Sequence, residues 1–231
     1  MPPATNPPRL ASEAVHDKLR RAILSGAYAD DDALPSEREL SAKHRVNRHA
    51  VREAIKRLQQ SGLVQVTHGG ATRVLDWRAT GGLELLTDFA GADEKIEPLL
   101  RSMAEMRASL GADAARLCAE RADEAARAEI RRLGDALRDP AEHRRYQHRF
   151  EAYEALWSRI VEGSGNLAYR LAFNSLVAAR HDGGVDRLAF ASEVDDGAAG
   201  RALAEAVAAG DPGRAEALAR DLLDRTVRAF A

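Results

Sequence analysis

The sequence has few cysteines and no long apolar runs. Its 231 residues include a single cysteine, Cys118, which has no partner for a disulfide within the chain and fits a reducing cytoplasm. No apolar run approaches the roughly 18 residues that a membrane span needs. The proline-rich first nine residues lack the apolar core of a signal peptide. We therefore expect a cytoplasmic protein with no membrane partner.

Motifs of catalysis are missing as well. The sequence holds no HExxH pair for zinc, no glycine-rich phosphate loop and no motif context for a Ser-His-Asp triad. Cys118 itself falls within a helical pattern. These absences predict that the protein is not an enzyme.

The abundant residues favour helices, and their charges are unevenly spread. Alanine, leucine, arginine and glutamate dominate a chain that is 45% hydrophobic and 30% charged, as is typical of a folded, helical protein. Residues 1–78 carry 13 Lys/Arg against 9 Asp/Glu, whereas residues 79–231 carry 21 against 27. Either the basic first third contacts a polyanion, or the asymmetry is chance variation.

Three helices are predicted in the first third. Apolar residues at helical spacing over 10–23 predict a first helix, which Gly26 ends. Ser36 and Glu39 form the capping box of a short second helix. Asn47 caps a third helix, which carries a buried apolar stripe on one face.

A short hairpin is predicted after the third helix. Residues 63–66 and 72–75 have the composition of two short strands, and His68-Gly69-Gly70 forms the turn between them. Three helices followed by a hairpin predict a winged helix-turn-helix over residues 10–76, behind a flexible arm at 1–9.

The outer face of the third helix is basic. Arg48 and Arg52 are four residues apart and are therefore neighbours on one face, and an arginine fork binds guanine O6 and N7 together in the major groove. Any one of these arginines also fits a solvated helix face, and Glu53 is expected to pair with a basic neighbour. A capped short helix, a tight turn, this basic helix and a hairpin follow one another in the order of a winged helix-turn-helix, which favours DNA binding. The predicted DNA-binding surface consists of Ser36, Arg38, Asn47, Arg48, His49, Arg52, His68 and Gly69.

This region closely resembles the DNA-binding domain of GntR-family regulators. The motifs that carry the resemblance are Leu34–Leu40 (LPSEREL), Val51–Ala54 (VREA) and Leu58–Val64. Relatives usually have Ser or Thr where this chain has Asn47 and His49, so its operator preference can differ. The resemblance implies a bacterial transcription regulator whose base, backbone and wing contacts come from Arg38, Arg48, Arg52, His68 and Gly69.

Beyond a linker at 77–82, the remaining residues 83–231 are predicted to be helical. Glycine and proline breaks separate expected helices, and a compact antiparallel bundle is the simplest arrangement. The fold class is therefore mainly α: a winged helix-turn-helix followed by an all-α bundle. We expect the bundle helices at 83–91, 95–121, 123–138, 142–163, 166–181, 186–209 and 211–230.

The helical part resembles the effector domain of the FadR subfamily, a bundle with a central ligand cavity. The matching stretches are Glu105–Arg107, Ser164–Asn166 and Ala208–Asp211. Many members bind a metal through an Asp-x-x-x-His pair and two later histidines. Counted from Asn166, those positions carry no metal ligand of the expected type here, which implies no metal and no other cofactor: Tyr153, Trp157, Gly200 and Asp221.

The missing metal ligands and the stretch 164–176 (SGNLAYRLAFNSL) resemble the fatty-acid branch of the subfamily, which implies long-chain acyl-CoA as effector. A small organic acid effector, or a ligand-independent DNA-binding or adaptor protein, stays open as an alternative. Arg107 is expected to face an anionic ligand group, although it could instead pair with a glutamate, and the aromatic residues could be core. The candidate cavity residues are Arg107, Tyr153, Trp157, Tyr169 and Asn174.

The family also implies how such a protein would work. A homodimer would place two recognition helices on successive half-sites of an inverted-repeat operator. An effector in the bundle would change that spacing if its affinity differs between the two states. Repression is the expected outcome.

Overall fold

Helices dominate both parts of the chain, and they follow the mainly α architecture predicted from the sequence. The computed structural model describes residues 8–67, 70–86, 97–137, 146–183 and 187–230. It divides the chain into two units, Met1–Ala92 and Asp93–Ala231. Within the described ranges, no helix is long and apolar enough to cross a bilayer.

The first unit contains three helices and a small wing. Helix α1 (Pro8–Leu24) packs on α3 (Arg48–Gln60), and the short α2 (Glu37–His44) lies between them in sequence. Apolar residues of all three helices form one core, because each helix turns a single apolar stripe inward. The buried members include Val15, Leu19, Ile23, Leu40, Val51, Ala54, Ile55 and Leu58.

The turn between α2 and α3 is fixed by local hydrogen bonds. Arg45 ends α2 in the left-handed conformation, with φ 55° and ψ 44°. The Ser41 hydroxyl donates to the carbonyl of Val46 at 2.5 Å. Asn47 then starts α3, because its Oδ1 accepts the backbone N–H of Ala50 at 2.8 Å. The tight helix-turn-helix that the sequence predicted is therefore built from adjacent residues.

The wing consists of a two-stranded hairpin and a third segment of chain that pairs with it. Strands β1 (Val64–Val66) and β2 (Thr72–Val74) are antiparallel. The segment before α2 pairs with β2 from the other side. Leu34 N–H donates to Thr72 O at 2.8 Å, and Ala33 bridges to Arg73.

Residues 77–82, predicted as a linker, contain a short helix that packs on the first unit. Helix α4 (Trp77–Thr80) is followed by a 3-10 turn at Leu83–Leu85, and Leu85 is buried in the same core. The Thr80 hydroxyl donates to the carbonyl of Gly62 at 2.8 Å. Gly62 has φ +70°, and a Cβ there would stand 2.5 Å from Thr80 O, so only glycine suits both the turn and the contact.

The second unit is a helical bundle. Two adjacent helices, Arg187–Val194 and Gly197–Ala208, replace the single helix predicted over 186–209, because Asp196 caps a new helix by accepting Ala199 N–H at 2.9 Å. Only 83–86 of the predicted helix 83–91 lies within the described residues. The helices are α5 (Glu97–Arg121), α6 (Glu124–Ala136), α7 (Tyr146–Gly163), α8 (Leu167–Gly183), α9 (Arg187–Val194), α10 (Gly197–Ala208) and α11 (Pro212–Ala229).

Small residues let the central helices come close together. Helices α5 and α11 form an extensive contact, and both contribute alanines to the core, including Ala112, Ala115, Ala215 and Ala219. Short side chains at a helix contact reduce the distance between the axes. Larger residues of α7 and α10 fill the space beside this pair, including Leu156, Ile160 and Leu203.

Candidate functional site

The outer face of α3 points away from the core and is exposed to solvent. Arg48, His49 and Arg52 are exposed, whereas Val51 and Leu58 on the opposite face are completely buried. Arg38, at the start of α2, is exposed as well. The fold thus places four of the predicted DNA-binding residues on the solvent side of the helix-turn-helix.

Two predicted contact residues, Ser36 and Asn47, have their side-chain oxygens engaged as helix caps. The Ser36 hydroxyl donates to Glu39 Oε2 at 2.7 Å, and Glu39 N–H returns a bond to Ser36 Oγ at 3.3 Å. The hydrogen bond from Ser36 lowers the pKa of the Glu39 carboxyl. These caps leave backbone N–H groups at helix starts, where phosphate binds well.

Arg52 forms an ion pair with Glu37, which was not predicted from the sequence. Its Nε donates to both carboxylate oxygens of Glu37, at 3.0 and 2.8 Å. Glu37 lies on α2, fifteen residues away, so helical spacing within α3 did not reveal the pair. The other two predicted contact residues, His68 and Gly69 of the wing turn, lie outside the described residues.

The second unit contains a cavity of about 100 Å³ that is partly open to solvent. Arg107, Tyr153, Trp157 and Tyr169 line it, as expected from the sequence. Asn174 does not: it is exposed on α8. Most of the other lining is apolar and comes from α5, α7, α8, α9 and the end of the chain, including Leu100, Met103, Phe150, Phe173, Phe190, Leu223 and Phe230.

A buried carboxylate organises one wall of the cavity. Glu193 on α9 has no exposed surface and accepts both terminal nitrogens of Arg107, at 2.9 and 2.5 Å. The Tyr153 hydroxyl donates to the same carboxylate at 2.6 Å, and the Thr226 hydroxyl donates to it as well. Side chains of α5, α7, α9 and α11 therefore meet at one group.

This network fixes the charges of its members. Burial alone would lower the pKa of Arg107, but the adjacent Glu193 carboxylate raises it above its ordinary value. Burial, and then the same carboxylate, raise the pKa of Tyr153 well above its ordinary value. Arg107 thus stays charged and Tyr153 stays neutral. The possibility that Arg107 pairs with a glutamate is the one observed, and Glu193 was missed because it lies 86 residues away in sequence.

The indole N–H of Trp157 is buried and interacts with the Tyr153 hydroxyl. Trp157 is 5% exposed, and its Nε1 atom has almost no accessible surface. The indole lies close enough to the Tyr153 hydroxyl to lower the pKa of that group slightly, against the larger effects of burial and Glu193. The two rings meet edge to face, with centroids 6.3 Å apart.

Tyr169 contributes its ring to the cavity and directs its hydroxyl elsewhere. The hydroxyl donates to Asp113 Oδ2 at 2.9 Å, and Asp113 also accepts from Arg116 Nε at 2.9 Å. This hydrogen bond to Asp113 raises the pKa of Tyr169. The ring is therefore held in place by an interaction outside the cavity.

The cavity residues do not fit the divalent metal that many members of the FadR subfamily bind. Tyr153 and Trp157, at the positions expected for the Asp-x-x-x-His pair, line the cavity with aromatic rings. Within the described part of the chain, no three or more His, Cys, Asp or Glu side chains come together to hold a metal ion.

Fold and site together define a class: a DNA-binding regulator with a winged helix-turn-helix and a separate all-α domain. Residues 11–74 match the model of bacterial regulatory proteins of the gntR family, and residues 102–225 match the FCD domain. The chain belongs to the GntR family of transcriptional regulators and carries an FCD domain. Homologues in this family are regulators and not enzymes.

Named relatives agree with this assignment. The chain is 35% identical over 228 residues to the HTH-type transcriptional regulator Mce2R of Mycobacterium tuberculosis (strain CDC 1551 / Oshkosh), covering 94% of this chain and 90% of the relative. It is 30% identical over 160 residues to the fatty acid metabolism regulator protein of Serratia proteamaculans, covering 67% and 63%. A solved structure, Streptococcus agalactiae GntR, shares the fold with a TM-score of 0.51 at 21% identity, over 94% of this chain and 99% of that one.

Proposed function

We propose that this regulator binds an inverted-repeat operator as a homodimer and that long-chain acyl-CoA entering the FCD cavity changes its affinity for DNA. The observation that carries the effector assignment is the apolar cavity, whose one cationic lining residue in the described structure is already paired. The identification of the regulator class itself rests on the family matches.

The proposed DNA contacts lie on exposed, helix-mounted side chains. Arg48 is the leading base reader, because it stands in the first turn of α3 with its side chain exposed. Arg38 and Arg52 supply further base or backbone contacts, and the capped helix starts at Ser36 and Asn47 supply phosphate contacts. His49 and the wing residues His68 and Gly69 complete the proposed interface.

The cavity favours an acyl chain over a small organic acid. A carboxylate would find its natural partner, Arg107, already bound by Glu193 on two nitrogens and would have to displace a buried charge. The other charged lining residue, Glu154, is acidic and repels an anion. An alkyl chain gains from the phenylalanine, leucine and methionine lining instead, and three relatives are named fatty acid metabolism regulator proteins.

The size of the cavity suggests how binding could be coupled to DNA. A volume of about 100 Å³ holds roughly seven to ten water-sized groups at about 10–15 Å³ each, which is fewer than the carbons of a long acyl chain. A long chain would therefore extend through the open side of the cavity or bind a state in which the lining helices have moved apart. A ligand that binds this opened state better than the closed one meets the condition for a population shift. A ligand-independent adaptor would have no such response.

The test is fluorescence anisotropy of the protein on its own upstream DNA at fixed salt, with and without palmitoyl-CoA. We expect palmitoyl-CoA to weaken binding at least tenfold. The variant Val177→Trp fills the cavity from α8 and should bind DNA normally but ignore palmitoyl-CoA. Leu171→Trp, on the same helix and 59% exposed, is the matched control and should respond as the wild type does.

Tight binding that is indifferent to palmitoyl-CoA would leave the DNA-binding role intact and refute the acyl-CoA assignment. A response to palmitoyl-CoA that persists in Val177→Trp would place the effector outside this cavity.

A further inference from the structure

Three exposed cations lie where the end of α2 approaches α1, and we call them the α2-end cluster: Lys18 on α1, Lys43 in the last turn of α2, and Arg45 at its C-cap. His44 stands among them. Its Nε2 is buried, and burial and then the positive charges of Lys18 and Lys43 lower its pKa. The two lysines, from different helices, therefore lie near the same imidazole.

The acidic residues closest in sequence to these lysines are engaged elsewhere. Asp17, beside Lys18, pairs with Arg20 at 3.8 Å. Glu39 precedes Lys43 by four residues, a spacing that favours an ion pair on a helix, but its carboxylate closes the capping box at the start of α2. Among the residues that the structure describes, no side chain of the α2-end cluster has a hydrogen bond or an ion pair. The cluster therefore keeps three positive charges without counter-charges.

Arg45 has a backbone conformation that suits glycine better than arginine. Its φ is 55° and its ψ is 44°, in the left-handed region, where its N–H donates to the carbonyls of Ala42 and Ser41. A Cβ atom is disfavoured in this region, and glycine has none. The guanidinium is exposed and gives no contact in return within the described part of the chain. An arginine that costs stability and makes no internal contact indicates a partner outside the chain.

The position of Arg45 identifies that partner as the backbone of DNA. Arg45 lies two residues before Asn47, the N-cap of α3, and three before Arg48, so a duplex held against the start of α3 comes close to it. A duplex carries about one negative charge per 1.7 Å of its axis, and Arg and Lys side chains are the usual partners of its phosphates.

We propose that the α2-end cluster binds phosphates of the operator backbone beside the bases that α3 reads. The inference rests on the proposed DNA-binding function and adds to it a contact that is independent of base sequence. Such a contact increases affinity for every duplex, makes binding more dependent on salt, and leaves the preference for the operator unchanged.

The first test compares salt dependence in the full chain. Anisotropy titrations on its upstream DNA and on a scrambled duplex, from about 0.05 to 0.2 M salt, give the slope of log affinity against log salt. The triple variant Lys18→Gln/Lys43→Gln/Arg45→Gly should reduce that slope by about 2–3, because each phosphate contact contributes about 0.9. Both duplexes should lose affinity equally. Arg131→Gln, exposed on α6, removes one charge from the other domain and should leave the slope unchanged.

The second test separates binding from folding at Arg45. Arg45→Gly should weaken binding to both duplexes about fivefold at about 0.15 M salt, the value of one phosphate contact. The same substitution should raise the thermal unfolding midpoint, because glycine accepts the left-handed conformation without steric cost. Arg45→Lys keeps the charge and should retain most of the salt dependence. A residue that serves only the fold would instead lower the unfolding midpoint when it is replaced.

The outcomes distinguish this inference from the function on which it rests. If the wild type binds its operator and the triple variant keeps the same slope, the phosphate contact is refuted while the DNA-binding role stands. A loss confined to the operator would make the cluster part of base reading, and a lower unfolding midpoint in Arg45→Gly would assign Arg45 to the fold; either result overturns the proposal. If the wild type binds neither duplex, both proposals fail.

Discussion

The proposed DNA-binding surface of the first domain and the cavity of the second are assembled in opposite ways. In the first, Ser36, Arg38, Arg48 and Arg52 come from one continuous stretch of chain, and local caps position them. In the second, Arg107, Tyr153 and Glu193 come from three helices and meet only after the bundle has formed. A local surface can therefore be recognised from a short motif, while a cavity depends on packing at a distance.

This contrast predicts that one buried substitution in the second domain lowers the free energy of unfolding more than any exposed substitution in the first domain does. Glu193→Gln keeps the shape of the side chain and leaves the partly buried Arg107 without its counter-charge. We expect the free energy of unfolding to fall by about 3 kcal/mol or more, measured by denaturant titration.

Glu120→Gln is the control, because its ion pair with Arg116 lies at the surface and should contribute about 0–1 kcal/mol. Octanoate should also stabilise Glu193→Gln more than the wild type, since Arg107 is then available to a carboxylate. Equal losses in the two variants would contradict the view that Glu193 organises the cavity wall.

The second domain should also be the more sensitive to alkaline pH. Burial raises the pKa of Cys118 to about 11, from an ordinary value of 9.0. Because the folded pKa is the higher one, this contribution to stability is complete below pH 9 and is lost as the pH rises through 11.

The loss should reach about 2–3 kcal/mol at pH 11, because each tenfold difference in acidity between the folded and unfolded thiol corresponds to about 1.36 kcal/mol. Cys118→Ala has its own fixed offset in stability but should lose less on going from pH 8 to pH 11. Parallel pH curves for the two proteins would show that the thiol does not titrate differently on unfolding.

In the first domain, the largest effect should appear in DNA binding and not in stability. Arg48→Ala should weaken operator binding by about 2 kcal/mol, roughly thirtyfold, if its fork reads a guanine, with little change in unfolding because the residue is exposed. The measurement is anisotropy at fixed salt, on the operator and on a scrambled duplex. Arg131→Ala, exposed on α6, is the control. A uniform loss on both duplexes would assign Arg48 to the phosphate backbone.

The smallest predicted effect concerns the ion pair between α2 and α3. Glu37→Gln removes the partner of Arg52, whose side chain is 66% exposed, so stability should change by less than about 1 kcal/mol. DNA affinity should rise a few fold, because Arg52 is released and a negative charge leaves the interface. Weaker DNA binding would mean that Glu37 positions Arg52 for its contact.

The contrast also explains how far the sequence could be interpreted. Capping residues and helical spacing predicted the first domain closely, since Ser36 and Asn47 act on their immediate neighbours. Four of five predicted cavity residues line the cavity because their helices were located correctly. Glu193 was missed because a lone acidic residue on a short helix carries no local signal, and Asn174 was misplaced because the rotation of α8 depends on its packing.

One contact near the end of the first domain has a mechanical consequence. Gly62 lies at the end of the recognition helix, and the Thr80 hydroxyl is bonded to its carbonyl, with no room for a methyl group between them. Helix α4 is therefore hydrogen-bonded to the end of α3. A substitution at Gly62 or Thr80 would therefore loosen helix α4 from the end of the helix that carries Arg48.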